Sequence, residues 1–315
     1  MKKILSLAAG LLVPLLLVSC DGNSGANAND SSKHKLVRVV TKKEGDLTHF
    51  LVENLEATEV TASFEVAPEN LKSDVPFPYT AVYPAHQITE AFTLSPVNAD
   101  KGWSYSYTNH FTIGSFHAVH DDSSTYLLPY DAPGGFRVTQ GYNGTYSHSG
   151  PDQYAIDFKM PAGTLVHAAR GGVVVKVKDD SDSGGPSRKF EACANYILIR
   201  HEDGTLANYA HLSKNSSRVK LGATVEAGQP IALSGNTGFT SGPHLHFSVF
   251  KTRGDGGGRE SIPVRFQTSE AARITLTEGR TYKPFSVSER VDRSRLSRTP
   301  KEDPKTGSTG APPRS

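Results

Sequence analysis

The sequence predicts an all-β protein in two folded parts, an N-terminal small β-sandwich followed by a domain built on an antiparallel β-sheet. Three observations carry this expectation. Apolar and polar residues alternate in short runs, the period of a strand with one buried face. Among 315 residues, 29 glycines and 19 prolines punctuate those runs and leave no room for long helical patterns. Asp203-Gly204 stands between two β-rich runs, 196–200 and 206–211, which is a strong hairpin signal.

A chain of this length can bury two cores. Its formal net charge of +2 gives no electrostatic footprint for nucleic acid, and none is expected as a partner. Residues 1–20 read as an export signal: Lys2 and Lys3 start it, residues 4–18 are its apolar core, and Leu17-Val18-Ser19-Cys20 ends it. The apolar run is too short and wrongly flanked for an ordinary membrane span. Its ending resembles the lipobox of bacterial lipoproteins, which implies that Cys20 is acylated and becomes the new N-terminus. Acyl chains, at about 0.8 kcal/mol per buried CH₂, would then anchor the exported protein to a membrane facing the periplasm. Asp21 resembles the residue that keeps some Gram-negative lipoproteins at the inner membrane.

Residues 21–35, rich in Ser, Asn, Asp and Gly, read as a flexible tether. The sandwich is expected over 36–125. Val60, Ala62, Phe64 and Val66 share a face of one run, and Trp103, Tyr105 and Tyr107 share a face of another, with turn-formers at 68–70 and 98–102 between them. Nothing in this part is patterned for catalysis, so it reads as a positioning or wall-contacting module. Residues 117–122, HAVHDD, cluster possible ligands but read as a polar link between domains. The second domain is expected over 126–273. Its residues 164–178 read as two strands bent at Gly171-Gly172, with Val173, Val175 and Val177 on one face, and 179–189 as a polar, Gly-rich loop. Residues 274–315 read as a basic, largely disordered tail.

The chemistry concentrates in four stretches of the second domain. In GPHLHF, a strand would put His244 and His246 on one face, about 7 Å apart, with Leu245 and Phe247 in the opposite layer. His148 stands in SHSG, Asp157 in YAIDF and His211 in NYAHLS. Together, over about 126–251, these motifs resemble the lysostaphin- and LytM-type zinc metallopeptidases, which cut peptide bridges in bacterial peptidoglycan. The resemblance implies that His148, Asp157 and His246 bind Zn²⁺, and that His211 and His244 face the substrate as catalytic residues. Two imidazoles and a carboxylate suit zinc and leave a fourth position for a water made acidic enough to attack an amide carbonyl. Which of His211 and His244 acts as the general base is left open. One departure from the family pattern bears on the carboxylate: eight residues separate His148 from Asp157 where three are usual, and Asp152 sits at the usual spacing. Asp157 is preferred because the text after it keeps the family's register.

His167, His201 and Cys193 read as structural, and Asn208 and Ser234 as candidate substrate-binding residues. The expected function is hydrolysis of peptidoglycan peptide cross-links, with peptidoglycan and, through Cys20, a membrane as partners. The alternatives are a catalytically inactive regulator of the same type and a wall-binding lipoprotein.

Overall fold

The computed structural model describes residues 36–285. The export signal, Cys20, Asp21, the tether and the tail from 286 onward lie outside the described residues. Within them the chain is all-β, with two short 3₁₀ helices, Gly150–Asp152 and Arg188–Cys193, set among the strands. No helix among the described residues is long and apolar enough to cross a membrane.

The first part closes one sheet over another. A four-stranded sheet runs Val37–Glu44, Leu47–Asn54, Gln87–Pro96, Leu71–Ser73 in spatial order, and a three-stranded sheet runs Tyr79–Tyr83, Val60–Glu69, Ser104–Ile113. All pairings are antiparallel. Val60, Ala62 and Phe64 are buried as their alternation predicts, against Phe50, Phe92 and Leu94 of the facing sheet. Phe50 and Phe92 stack at 4.4 Å between ring centroids, and Phe64 meets Phe92 edge-on at 5.3 Å. Tyr105 and Tyr107 close the side of this cluster, edge-on to Phe50. Each fully buried ring of this kind contributes about 1.5–3 kcal/mol of transfer free energy.

The second part is organised on a nine-stranded antiparallel sheet. Its spatial order is Thr224–Val225, Gly172–Lys178, Tyr196–Arg200, Leu206–Ala210, Leu245–Thr252, Ile156–Phe158, Phe136–Gln140, Thr281–Tyr282, with Arg259–Ser261 pairing beside Leu245–Thr252. The hairpin at Asp203-Gly204 forms as expected, with Gly204 at φ +82°, where a side chain would be strained. One face of the sheet carries the core, in which Phe158, Phe247, Tyr209, Ile197 and Ile199 pack on Tyr126 and Phe266.

Three sequence expectations change. Val173, Val175 and Val177 do not share a face, because the ladder slips between Val174 and Lys176. The extra residue turns Val174 and Val177 to the main core and Val175 to the other side. The stretch 179–189 is not all loop. Gly184–Gly185 pairs in parallel with Gly238–Phe239, an approach so close that a Cβ on Gly184 would stand 2.0 Å from the Asn236 carbonyl oxygen. The boundary at 273 also moves. Thr281–Tyr282 pairs with Phe136 and Arg137 at the sheet edge, and Leu276 and Tyr282 are buried. A few isolated apolar residues in polar text gave no periodic signal for this edge.

The two parts meet through Ile113, which packs on Val175, Leu198, Leu206 and Phe250. Lys176 Nζ reaches Glu56 Oε1 at 2.7 Å across the seam. Gly114, at φ +98°, lies where a Cβ would stand 2.8 Å from Leu206 Cδ1. Residues 117–122 run on from this contact as the expected polar link, tied down by Asp121 N–H donating to Asp203 Oδ2.

Candidate active site

Antiparallel register brings the site together. Gln140, Asp157, His246 and Ala210 stand opposite one another on four adjacent strands. Paired residues point to the same face, so the carboxylate and the imidazole leave the sheet side by side on the face away from the core. His246 Nδ1 lies 3.0 Å from Asp157 Oδ1. His148 comes in from the loop after Phe136–Gln140, its Nε2 3.2 Å from the same oxygen. One ligand atom from each of His148, Asp157 and His246 lies within 4.8 Å of the others, and among the described residues no further group of this kind occurs.

The donor set fits a metal ion. His148 Nδ1 donates to the Gly141 carbonyl at 2.9 Å, which leaves the lone pair on Nε2. That Nε2 is buried and has no hydrogen-bond partner of acceptable geometry, an orphaned acceptor turned toward Asp157 and His246. Burial alone would raise the Asp157 carboxyl, but the imidazoles of His148 and His246 hold it well below the usual carboxylate range. Burial would lower the His148 pKa, but Asp157 outweighs it and raises it, so the position at Nε2 that a metal ion would take is one a proton also competes for. Two nitrogens and one anionic oxygen are the donor types of a three-ligand zinc site.

Asp152, the competing carboxylate, is committed elsewhere. Both its oxygens accept from one guanidinium nitrogen of Arg259, at 2.8 and 2.9 Å, and it comes only within 3.9 Å of His246 Nε2.

His211 and His244 stand next to the cluster, ring centroids 4.5 Å apart. His211 follows Ala210 directly and holds φ +64°, a left-handed conformation that costs a non-glycine residue about 1–2 kcal/mol. Its Nδ1 donates to the Thr237 carbonyl at 2.7 Å, and that of His244 to the Gly242 carbonyl at 2.9 Å. Each ring therefore keeps its lone pair on Nε2, and that of His244 lies 3.7 Å from Asp157 Oδ1. Burial, reinforced by His244 and His246, lowers the His211 pKa to about 3, so the ring is neutral at pH 7.

Of the two substrate-binding candidates, neither lines the pocket over the cluster. Ser234 is fully buried and donates its hydroxyl to the Pro161 carbonyl at 2.6 Å, a structural use. Asn208 faces a different cavity. His167, His201 and Cys193 are buried away from the cluster. Sequence reasoning missed Gln140, whose Nε2 donates to Asp157 Oδ2 at 3.0 Å while its Oε1 accepts from the backbone N–H of Tyr146 and Ser147. It also missed Tyr146 and Phe239, which stack at 5.9 Å and line the pocket of about 240 Å³ above the cluster. Gln140 closes a run of alternating residues and carried no signal of its own.

The stretch that carries these residues resembles known proteins. Residues 151–258, within the second part of the chain, match Peptidase family M23. Peptidoglycan DD-endopeptidase ShyA of Vibrio cholerae is 42% identical over 93 residues, 30% of this chain and 19% of that protein. Lysostaphin of Staphylococcus simulans is 36% identical over 132 residues, 41% of this chain and 23% of that protein. Among solved structures, a catalytic domain of the prophage-encoded M23 protein EnpA from Enterococcus faecalis is 27% identical, covers 44% of this chain and 94% of that one, and superposes with a TM-score of 0.33. The matched stretch thus spans about a fifth to a quarter of these two relatives' length.

Proposed function

We propose that the chain is a zinc metalloendopeptidase that hydrolyses peptide cross-links of bacterial peptidoglycan. The observation that carries this reading is the meeting of His148, Asp157 and His246 on one sheet face, with the His211 and His244 imidazoles beside them. The names of ShyA and lysostaphin support the substrate class.

His148, Asp157 and His246 would hold the ion. Zinc bound there would supply a Lewis acid and lower the pKa of a coordinated water to about 7. Asp157, anionic and fixed by Gln140, would balance its charge. His211, held neutral with Nδ1 committed to Thr237, accepts a hydrogen bond from the attacking water at Nε2. The proton taken from the water at His211 Nε2 would pass through Nε2 of the neighbouring His244, whose Nδ1 is fixed by Gly242, to the leaving amine. The Tyr146–Phe239 pair flanks the groove and narrows what can lie across it.

The reading includes acylation of Cys20 and a periplasmic address, with links between D-alanine and diaminopimelate as the bonds cut. The test is to incubate the soluble chain, begun after Cys20, with purified peptidoglycan while measuring bound zinc. New amino termini in the digest are expected. Zinc bound without cleavage would point to an inactive regulator, and wall binding without zinc to an anchor.

A further inference from the structure

Beside the metal cluster, and sharing none of its lining, a cavity of about 710 Å³ opens where the last strand of the sandwich meets the outer face of the sheet. That size lies within the range of about 300–1,000 Å³ typical of ligand pockets. His110 and Phe111 stand on the sandwich side; Lys176, Lys178, Asn208 and Arg259 stand on the other.

Three features point to what it takes. The first is position. Ala210 lines the cavity, stands opposite His246 in the sheet and immediately precedes His211, so a ligand here lies next to the reacting groups along the same strand. The second is charge. The wall carries Lys176, Lys178 and Arg259 against the single acid Glu191, with His110 beside them. The acids that pair with those cations, Glu56, Asp180 and Asp152, lie outside the wall. Each ammonium has three N–H donors and Arg259 uses one nitrogen on Asp152, so donors remain to be spent. The third is an unmet polar group. Asn208 is 7% exposed, and its Oδ1 has no hydrogen-bond partner; nor does the Oγ of Ser248, its cross-strand neighbour. Side-chain amides are rarely buried unpaired, and a peptide backbone offers the complementary donor and acceptor.

We propose that this cavity binds a carboxylate-bearing arm of the peptide substrate, with the sandwich supplying one wall. The inference rests on the peptidase reading above. It gives the sandwich a part in recognition, and it makes charge on the substrate, at a distance from the scissile bond, a determinant of KM.

The test compares two synthetic cross-linked tetrapeptides, one with free carboxylates and one amidated, as substrates of the full soluble chain. Wild type is expected to prefer the acidic form by about tenfold in KM, the scale of one charge-assisted hydrogen bond. Lys178→Glu should raise KM for the acidic form about tenfold, and Lys178→Gln by less, each keeping kcat. Asn208→Leu should raise KM for both forms. Melting midpoints of all the variants show whether they fold. Equal KM for the two substrates in wild type, or KM unmoved by Lys178→Glu, overturns the proposal. If wild type cleaves neither, the peptidase reading fails. Calorimetric titration of the acidic peptide then decides this one: saturable binding weakened by Lys178→Glu upholds it, and no binding overturns it.

Discussion

The sandwich and the sheet of the second domain obey the same alternation rule and put their second faces to opposite uses. In the sandwich, the inner faces of both sheets are apolar and meet, so Phe50, Phe64 and Phe92 fill the gap with rings. In the second domain one face is filled in the same way by Phe158, Phe247 and Tyr209. Along Gln140, Asp157 and His246 the other face carries polar and ionisable groups, which the same alternation positions side by side. The contrast teaches that a rigid packed face is what gives the opposite face its precision. Asp157 and His246 are directed outward by Ile156, Phe158, Leu245 and Phe247, their buried neighbours in the chain.

Breaking the polar face should have the largest effect on chemistry. Asp157→Asn is expected to lose bound zinc and all cleavage, and Asp152→Asn to keep zinc, both read by metal content and release of new amino termini. Zinc lost only in Asp152→Asn would reverse the choice of ligand. Breaking the packed face of the sandwich should instead cost stability. Phe92→Ala is expected to destabilise the fold by about 3–5 kcal/mol in denaturant titration, leaving the zinc bound per folded molecule unchanged.

A histidine on the packed side sharpens the comparison through pH. His201 is 1% exposed, donates from Nδ1 to the Gly171 carbonyl and lies edge-on to Tyr126, and burial lowers its pKa to about 4. The unfolded chain, with an ordinary value of about 6.5, binds the proton first. Stability is therefore present in full above about pH 6.5 and is lost as pH falls toward 4, by up to about 3 kcal/mol. His201→Asn should flatten the fall of the melting midpoint over that interval. The smallest expected effect belongs to Gln140→Ala, which frees the Asp157 carboxylate to turn. Zinc affinity should weaken by about 10–100-fold in a competition titration while the fold persists.

Much of this was legible in the residues. Val60, Ala62 and Phe64 announced a buried face, Asp203-Gly204 a hairpin, and His244 and His246 a shared strand side. The gathering of His148, Asp157, His211 and His246 could be named only through the family resemblance, because nothing local tells residues far apart in the chain that they will meet. What stayed hidden depended on register and tertiary contact. The slip at Val175 inverts a face without altering composition. Gln140 matters because Asp157 stands opposite it, and the cavity that Asn208 lines is formed only where the sandwich meets the sheet.

The short strand Thr281–Tyr282 also shapes the molecule's exposure to its neighbours. Phe136–Gln140 would otherwise present a row of unpaired amides and carbonyls next to the strand that carries Asp157. By occupying that margin, ten or so residues past the apparent end of the domain keep a second molecule from zipping onto it. A shortened chain that stopped at 273 would carry the chemical groups intact and would be prone to self-association through an uncovered ribbon.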